Sequence, residues 1–146
     1  MGKKNIDIEY QIYDPQPLYY PKDKINGQVS LTSKELEKIK LKKFEATLCE
    51  DWYHWEYRGS RDEGSRKEWV FKSKTCSRVI FCKARFIEPN ETIAYEFEMF
   101  MPKKWKPRMG RKFKSWQFNI SFFHKTRLKK RYAAKHILPV EGGVHG

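Results

Sequence analysis

Apolar and polar residues take turns along most of this chain, and alternation with a period of two is the pattern of a β-strand with one dry and one wet face. Ile6, Ile8, Tyr10 and Ile12 alternate with Asp7, Glu9 and Gln11. Asp14-Pro15-Gln16-Pro17 ends that run, because proline cannot donate to a central ladder. Leu18 to Asp23 reads as a short extended segment entering a turn. Ile25, Gly27, Val29 and Leu31 then resume the alternation. Gly27 falls on the inner side, where a missing side chain lets another element come close. Ser33 to Glu37 is a polar connection with room for one helical turn.

Ile39-Lys40-Leu41 and Phe44 to Leu48 alternate in different phases, so a β-bulge is expected near Lys42-Lys43. Residues 58–68 hold almost no apolar side chain and read as a solvated, mobile loop. Trp69-Val70-Phe71 and Ser77 to Ile87 form a long extended region, with Ile80, Cys82, Ala84 and Phe86 expected on a shared face. Ile93, Tyr95, Phe97, Met99 and Met101 alternate up to Pro102, and Trp116, Phe118, Ile120 and Phe122 form a further strand. Residues 141–146 read as a flexible tail. No long amphipathic helix is present in the pattern, which argues against βαβ topology. The expected fold is all-β: one two-sheet antiparallel sandwich of about seven or eight strands over residues 1–140.

A chain of 146 residues with 39% apolar and 16% aromatic content can build its own core without disulfides or a metal. Its net charge of +13 favours anionic partners, although such charge also keeps a protein in solution. Cys49, Cys76 and Cys82 are odd in number and lack the spacing of a zinc or redox site, so free thiols in a reducing compartment are expected. The first residues show no signal-peptide pattern and no apolar run reaches the length of a membrane span. The expected location is therefore the cytoplasm.

The main candidate site is the basic loop carrying Lys103, Lys104, Trp105, Lys106, Arg108, Arg111, Lys112 and Lys114. Lysine and arginine pair with phosphate or carboxylate, and Trp105 can stack or insert. A second basic patch, Arg127, Lys129 and Arg131, lies in the segment Lys125 to Lys135, which fits a charged edge strand or a short helix. Lysine-rich edges also deter sheet-to-sheet aggregation. In Trp52-Tyr53-His54-Trp55-Glu56-Tyr57, alternate aromatics are expected to point into the core, with His54 and Glu56 forming a surface pair. No nucleophile elbow, phosphate-cradling glycine loop or zinc spacing is present, so no enzyme activity, metal or cofactor is expected.

Leu18-Tyr19-Tyr20-Pro21-Lys22-Asp23-Lys24-Ile25-Asn26-Gly27-Gln28-Val29-Ser30-Leu31 resembles the opening of arrestin-like domains. Ile39-Lys40-Leu41, the stretch Tyr95-Glu96-Phe97-Glu98-Met99-Phe100-Met101-Pro102, and Phe113 to Ile120 follow in the family's order, so the resemblance covers most of residues 6–125. It is confined to the N-terminal domain of that family, so the two-domain activation mechanism is not carried over. The family's glycine after the third strand stands here as Cys49 or Glu50. The resemblance implies an immunoglobulin-like, arrestin-type sandwich acting as a non-catalytic adaptor or scaffold for an extended, acidic or phosphorylated peptide. The alternative is a basic nucleic-acid-binding β-domain, and basic loops carrying Trp105 also fit an anionic membrane surface.

Overall fold

The computed structural model describes residues 5–58, 66–127 and 130–143, and its described residues form seven strands and no helix. In chain order these are β1 (Ile6–Tyr13), β2 (Lys24–Ser33), β3 (Ile39–Arg58), β4 (Arg66–Ile87), β5 (Thr92–Phe100), β6 (Phe113–Lys125) and β7 (Lys130–Leu138). They make two antiparallel sheets, one of three strands in the order β1-β2-β5 and one of four in the order β4-β3-β6-β7. The fold is the expected all-β sandwich.

The alternation explains the core. Ile12, Ile25, Val29, Leu31, Ile93, Phe97 and Met99 bury the inner side of the smaller sheet. Leu41, Phe44, Ala46, Leu48, Trp116, Phe118, Ile120 and Phe122 do the same for the larger one. Rings join the layers: Phe122 lies 5.6 Å from Phe97 and 4.9 Å from Tyr10, centroid to centroid. Fully burying each such side chain stabilises the fold by about 1.5–3 kcal/mol. Gly27 has the role expected of it. A Cβ there would sit 2.7 Å from Phe97 Cζ and 2.5 Å from the Gln11 carbonyl oxygen, so its absence lets the Phe97 ring settle.

Three expectations are corrected. The register of β3 against β4 shifts at Phe44/Glu45 and Leu48/Cys49, not at Lys42-Lys43. The extra residues, Phe81 and Cys76, belong to β4, and Ala84 nearby holds a φ of 50°. These irregularities change the phase of β4, so Ile80, Cys82, Ala84 and Phe86 do not share an environment. Ile80 and Phe86 are exposed, Cys82 packs against the core, and Phe81 turns inward to within 5.0 Å of Phe44. The third correction is local: Lys34 to Glu37 makes bends, not a helical turn.

Within Lys125 to Lys135, Lys125 ends β6 and Lys130 begins the edge strand β7. Arg58 ends β3 and Arg66 to Glu68 begin β4, so these four residues are strand and not the loop expected over 58–68; residues 59–65, the end of the tail (144–146) and Lys129 lie outside the described residues. Strands β3 and β4 run for 20 and 22 residues, against 8–10 in the smaller sheet. At about 3.3 Å per residue, their paired ends reach beyond what the smaller sheet can cover. The overhang positions the site described next.

Candidate functional site

The segment from Met101 to Lys112 crosses from β5 to β6 at this overhang. Its start is fixed by backbone hydrogen bonds from Met101 N to Asp23 O (2.8 Å) and from Lys22 N to Pro102 O (3.1 Å). The Trp105 ring lies 5.0 Å from Phe118 and packs against the core, so this tryptophan anchors the loop from within. Gly110, at a φ of 99°, and the bond from Phe113 N to Gly110 O turn the chain into β6. Trp55 N donates to Lys112 O at 3.1 Å and ties that turn to β3.

Glu50 organises the centre. It is buried, and its Oε2 accepts from Trp116 Nε1 at 2.8 Å and from Arg108 Nε at 2.9 Å. The Arg108 guanidinium also stacks on Trp52, 3.7 Å from the ring centroid. A buried carboxylate is tolerable only when its charge is matched and hydrogen-bonded, and these donors do both. Arg108 is thereby held in one orientation rather than left to sample many.

Around this anchor lies a cleft of about 540 Å³ lined by Glu50, Lys74, Lys104, Trp105, Lys106, Pro107, Arg108 and Phe113. Its ammonium groups come from Lys74, Lys104 and Lys106, all exposed, while the carboxylate beneath is already engaged. Such a surface attracts carboxylate or phosphate, with the apolar parts of Trp105, Pro107 and Phe113 available to a side chain beside the charge.

The expected loop residues therefore separate. Lys104, Trp105, Lys106 and Arg108 line the cleft; Lys103, Arg111 and Lys112 are exposed outside its lining. Lys114 belongs to β6, with its ammonium 5.6 Å from the Tyr53 ring and 4.5 Å from the Trp69 ring. Lys74 was not singled out from sequence, yet it pairs with Glu50 across β3 and β4. Only the register, set by the Cys76 irregularity, reveals that neighbourhood.

In the second patch, Arg127 lies after the end of β6 and Arg131 in β7, so the two do not continue one strand. Burial, and then the charge of Arg131, hold the His124 imidazole below its ordinary 6.5. His54 Nε2 lies 3.1 Å from Glu56 Oε1, a pair on one strand. Burial and then the Glu50 carboxylate push the Cys76 thiol up, which suppresses the thiolate needed for nucleophilic or redox work. Among the described residues no group of three or more His, Cys, Asp or Glu side chains could hold a metal ion. Nor is any helix there long and apolar enough to cross a membrane, a statement that does not bear on β-barrels.

No protein-family model matches the chain, and neither does any curated protein. Among solved structures, the sporulation control protein Spo0M from Bacillus subtilis superposes with a TM-score of 0.63 at 12% identity. That match covers 96% of this chain and 50% of Spo0M. The fold is arrestin-like. The chain thus spans half the length of that structural relative. A putative ApaA protein from Bordetella pertussis aligns over 94% of this chain and 96% of its own, with 13% identity and a TM-score of 0.37.

Proposed function

We propose that this domain is a non-catalytic adaptor, related to the N-terminal domain of arrestin-like proteins, that docks an acidic or phosphorylated peptide segment in the cleft of Lys74, Lys104, Lys106 and Arg108. One observation carries the reading: the cations converge on a cleft whose only carboxylate among the described residues, Glu50, is already bonded to Trp116 and Arg108. An incoming anion meets the lysine ammonium groups without competing with the buried acid for its donors. The half-length alignment with Spo0M fits a unit that works beside another domain. Free Cys49, Cys76 and Cys82 fit a cytoplasmic setting.

The test is titration of a fluorescent phosphoserine peptide and its unphosphorylated, acid-free counterpart. The phosphopeptide binds more tightly, and affinity falls as salt rises. Lys74→Ser, Lys104→Ser and Lys106→Ser each weaken binding roughly threefold, the scale of an exposed ion pair. Lys103→Ser and Arg111→Ser, which remove charge outside the cleft, leave it unchanged. Equal losses from both sets of variants would reduce the effect to net charge and end the proposal.

A further inference from the structure

The outer side of the four-stranded sheet has a second, different hollow. It runs diagonally from β4 to β7 with a volume of about 490 Å³, and its lining includes Phe71, Ser73, Cys49, Asp51, Ser121, Tyr132 and Lys135. The floor is polar but closed. Asp51 accepts from Ser73 Oγ at 2.5 Å and from Asn119 Nδ2 at 2.7 Å, and Lys135 Nζ stands 3.8 Å away. Ser121 Oγ donates to Asn119 Oδ1 at 2.9 Å. Asp51, the one carboxylate of the floor among the described residues, is thus hydrogen-bonded and faced by a cation.

The two ends share a design. At one, Phe71 meets Tyr53 at 5.3 Å and the Lys114 ammonium stands 5.6 Å over Tyr53. At the other, Tyr132 meets Phe123 at 5.3 Å and the Lys130 ammonium stands 4.0 Å over Phe123. Phe71 is 50% exposed and Tyr132 68%, and both stand on the outer side of the sheet, so their rings are open to a ligand. Each end therefore pairs an accessible ring face with a positive charge, and a third cation, Lys135, lies between.

We propose that this groove binds single-stranded nucleic acid, with a base stacked on Phe71, another on Tyr132, and the backbone phosphates near Lys114, Lys130 and Lys135. A ligand that complements stacking surfaces and ammonium groups in alternation must itself alternate planar rings with anionic linkers. Unpaired nucleotides do so, whereas an acidic peptide offers charge without rings and a duplex keeps its bases stacked inside. The site is separate from the cleft. Asp51 and Glu50 are adjacent along β3, so their side chains leave opposite faces of the sheet.

The experiment is fluorescence anisotropy with a labelled single-stranded RNA of roughly 12 nucleotides, its duplex, and a polyglutamate competitor, at about 50 and 150 mM salt. The single strand binds, more tightly than the duplex. Phe71→Ala and Tyr132→Ala each weaken it roughly tenfold, the scale of one lost base stack. Both side chains are largely outside the core, and an unchanged thermal midpoint confirms that each variant is folded. Lys104→Ser with Lys106→Ser leaves RNA affinity within twofold at about 150 mM salt. Undiminished binding by the folded ring variants, equal affinity for the duplex, or displacement by polyglutamate as effective as by unlabelled RNA would each overturn the assignment. No binding of the single strand at either salt would do the same. Loss of the phosphopeptide response alone would count against the cleft and leave the groove standing.

Discussion

The outer faces of the two sheets are chemically opposite. The three-stranded sheet presents Asp7, Glu9, Glu96 and Glu98, all exposed and without an ion pair among the described residues, with Lys24 at one end. Between them β2 offers Asn26, Gln28, Ser30 and Thr32, so this side is acidic, polar and free of large rings apart from Tyr13 and Phe100. The four-stranded sheet instead carries Arg78, Lys114, Lys130 and Lys135 together with Tyr53, Phe71, Phe123 and Tyr132. A net charge of +13 therefore describes neither face. It hides an acidic side, and the attraction for anions belongs to one layer and the overhang beside it. Cations and exposed rings lie on the longer sheet and its overhang, while the shorter one closes the core.

That division rests on the two layers being held together, so the largest effect comes from loosening their join. Phe122→Ala removes the ring between Phe97 and Tyr10 and should cost about 3–5 kcal/mol, read in urea melts, with both binding responses lost together. Survival of peptide or RNA binding in an unfolded population would contradict the dependence of either site on the sandwich.

A smaller effect comes from pH, and it bears on the larger sheet. Burial holds His124 and His136 below their ordinary 6.5, with Arg131 adding to the effect on His124. The unfolded chain then binds protons first, so their contribution is intact above about pH 6.5 and is lost as pH falls through that value toward the folded one. Thermal midpoints between about pH 7.5 and 5.5 should drop for the parent protein and drop less for His136→Gln, which keeps an acceptor for Tyr10. An unchanged pH dependence in that variant would remove His136 from the account.

The smallest effect sharpens the contrast itself. Glu96→Lys with Glu98→Lys changes an exposed row and should alter stability by about 0.5 kcal/mol or less. Phosphopeptide and RNA affinities at about 150 mM salt should stay within twofold, since the Debye length is then roughly 8 Å. A large gain in either affinity would show that net charge, and not the local surface, governs binding.

Most of the sandwich was legible because β1, β2 and β5 alternate without interruption, as does β6 from Trp116 to Phe122. Strand β4 was misread because Cys76 and Phe81 each insert a residue, and a period of two cannot survive that. The cleft was half legible. Lys104, Lys106 and Arg108 are sequence neighbours, whereas Lys74 reaches them only through register. The groove was hidden by the same alternation that revealed the fold. Thr47, Asp51, Asn119 and Ser121 occupy the nominally wet side, yet they are buried, and Asn119 bonds both Asp51 and Ser121. Polarity marks which face a residue takes, not whether water reaches it.

Glu50 and Asp51 have a consequence for how large a ligand the molecule can share. Consecutive carboxylates on one strand brace the cleft and the groove set back to back, separated by the thickness of a single β-ribbon. A flat body seated on one of them leaves the other looking the opposite way. The two proposed occupants would then be carried at once without touching, with the ribbon as the spacer that fixes how far apart they are kept.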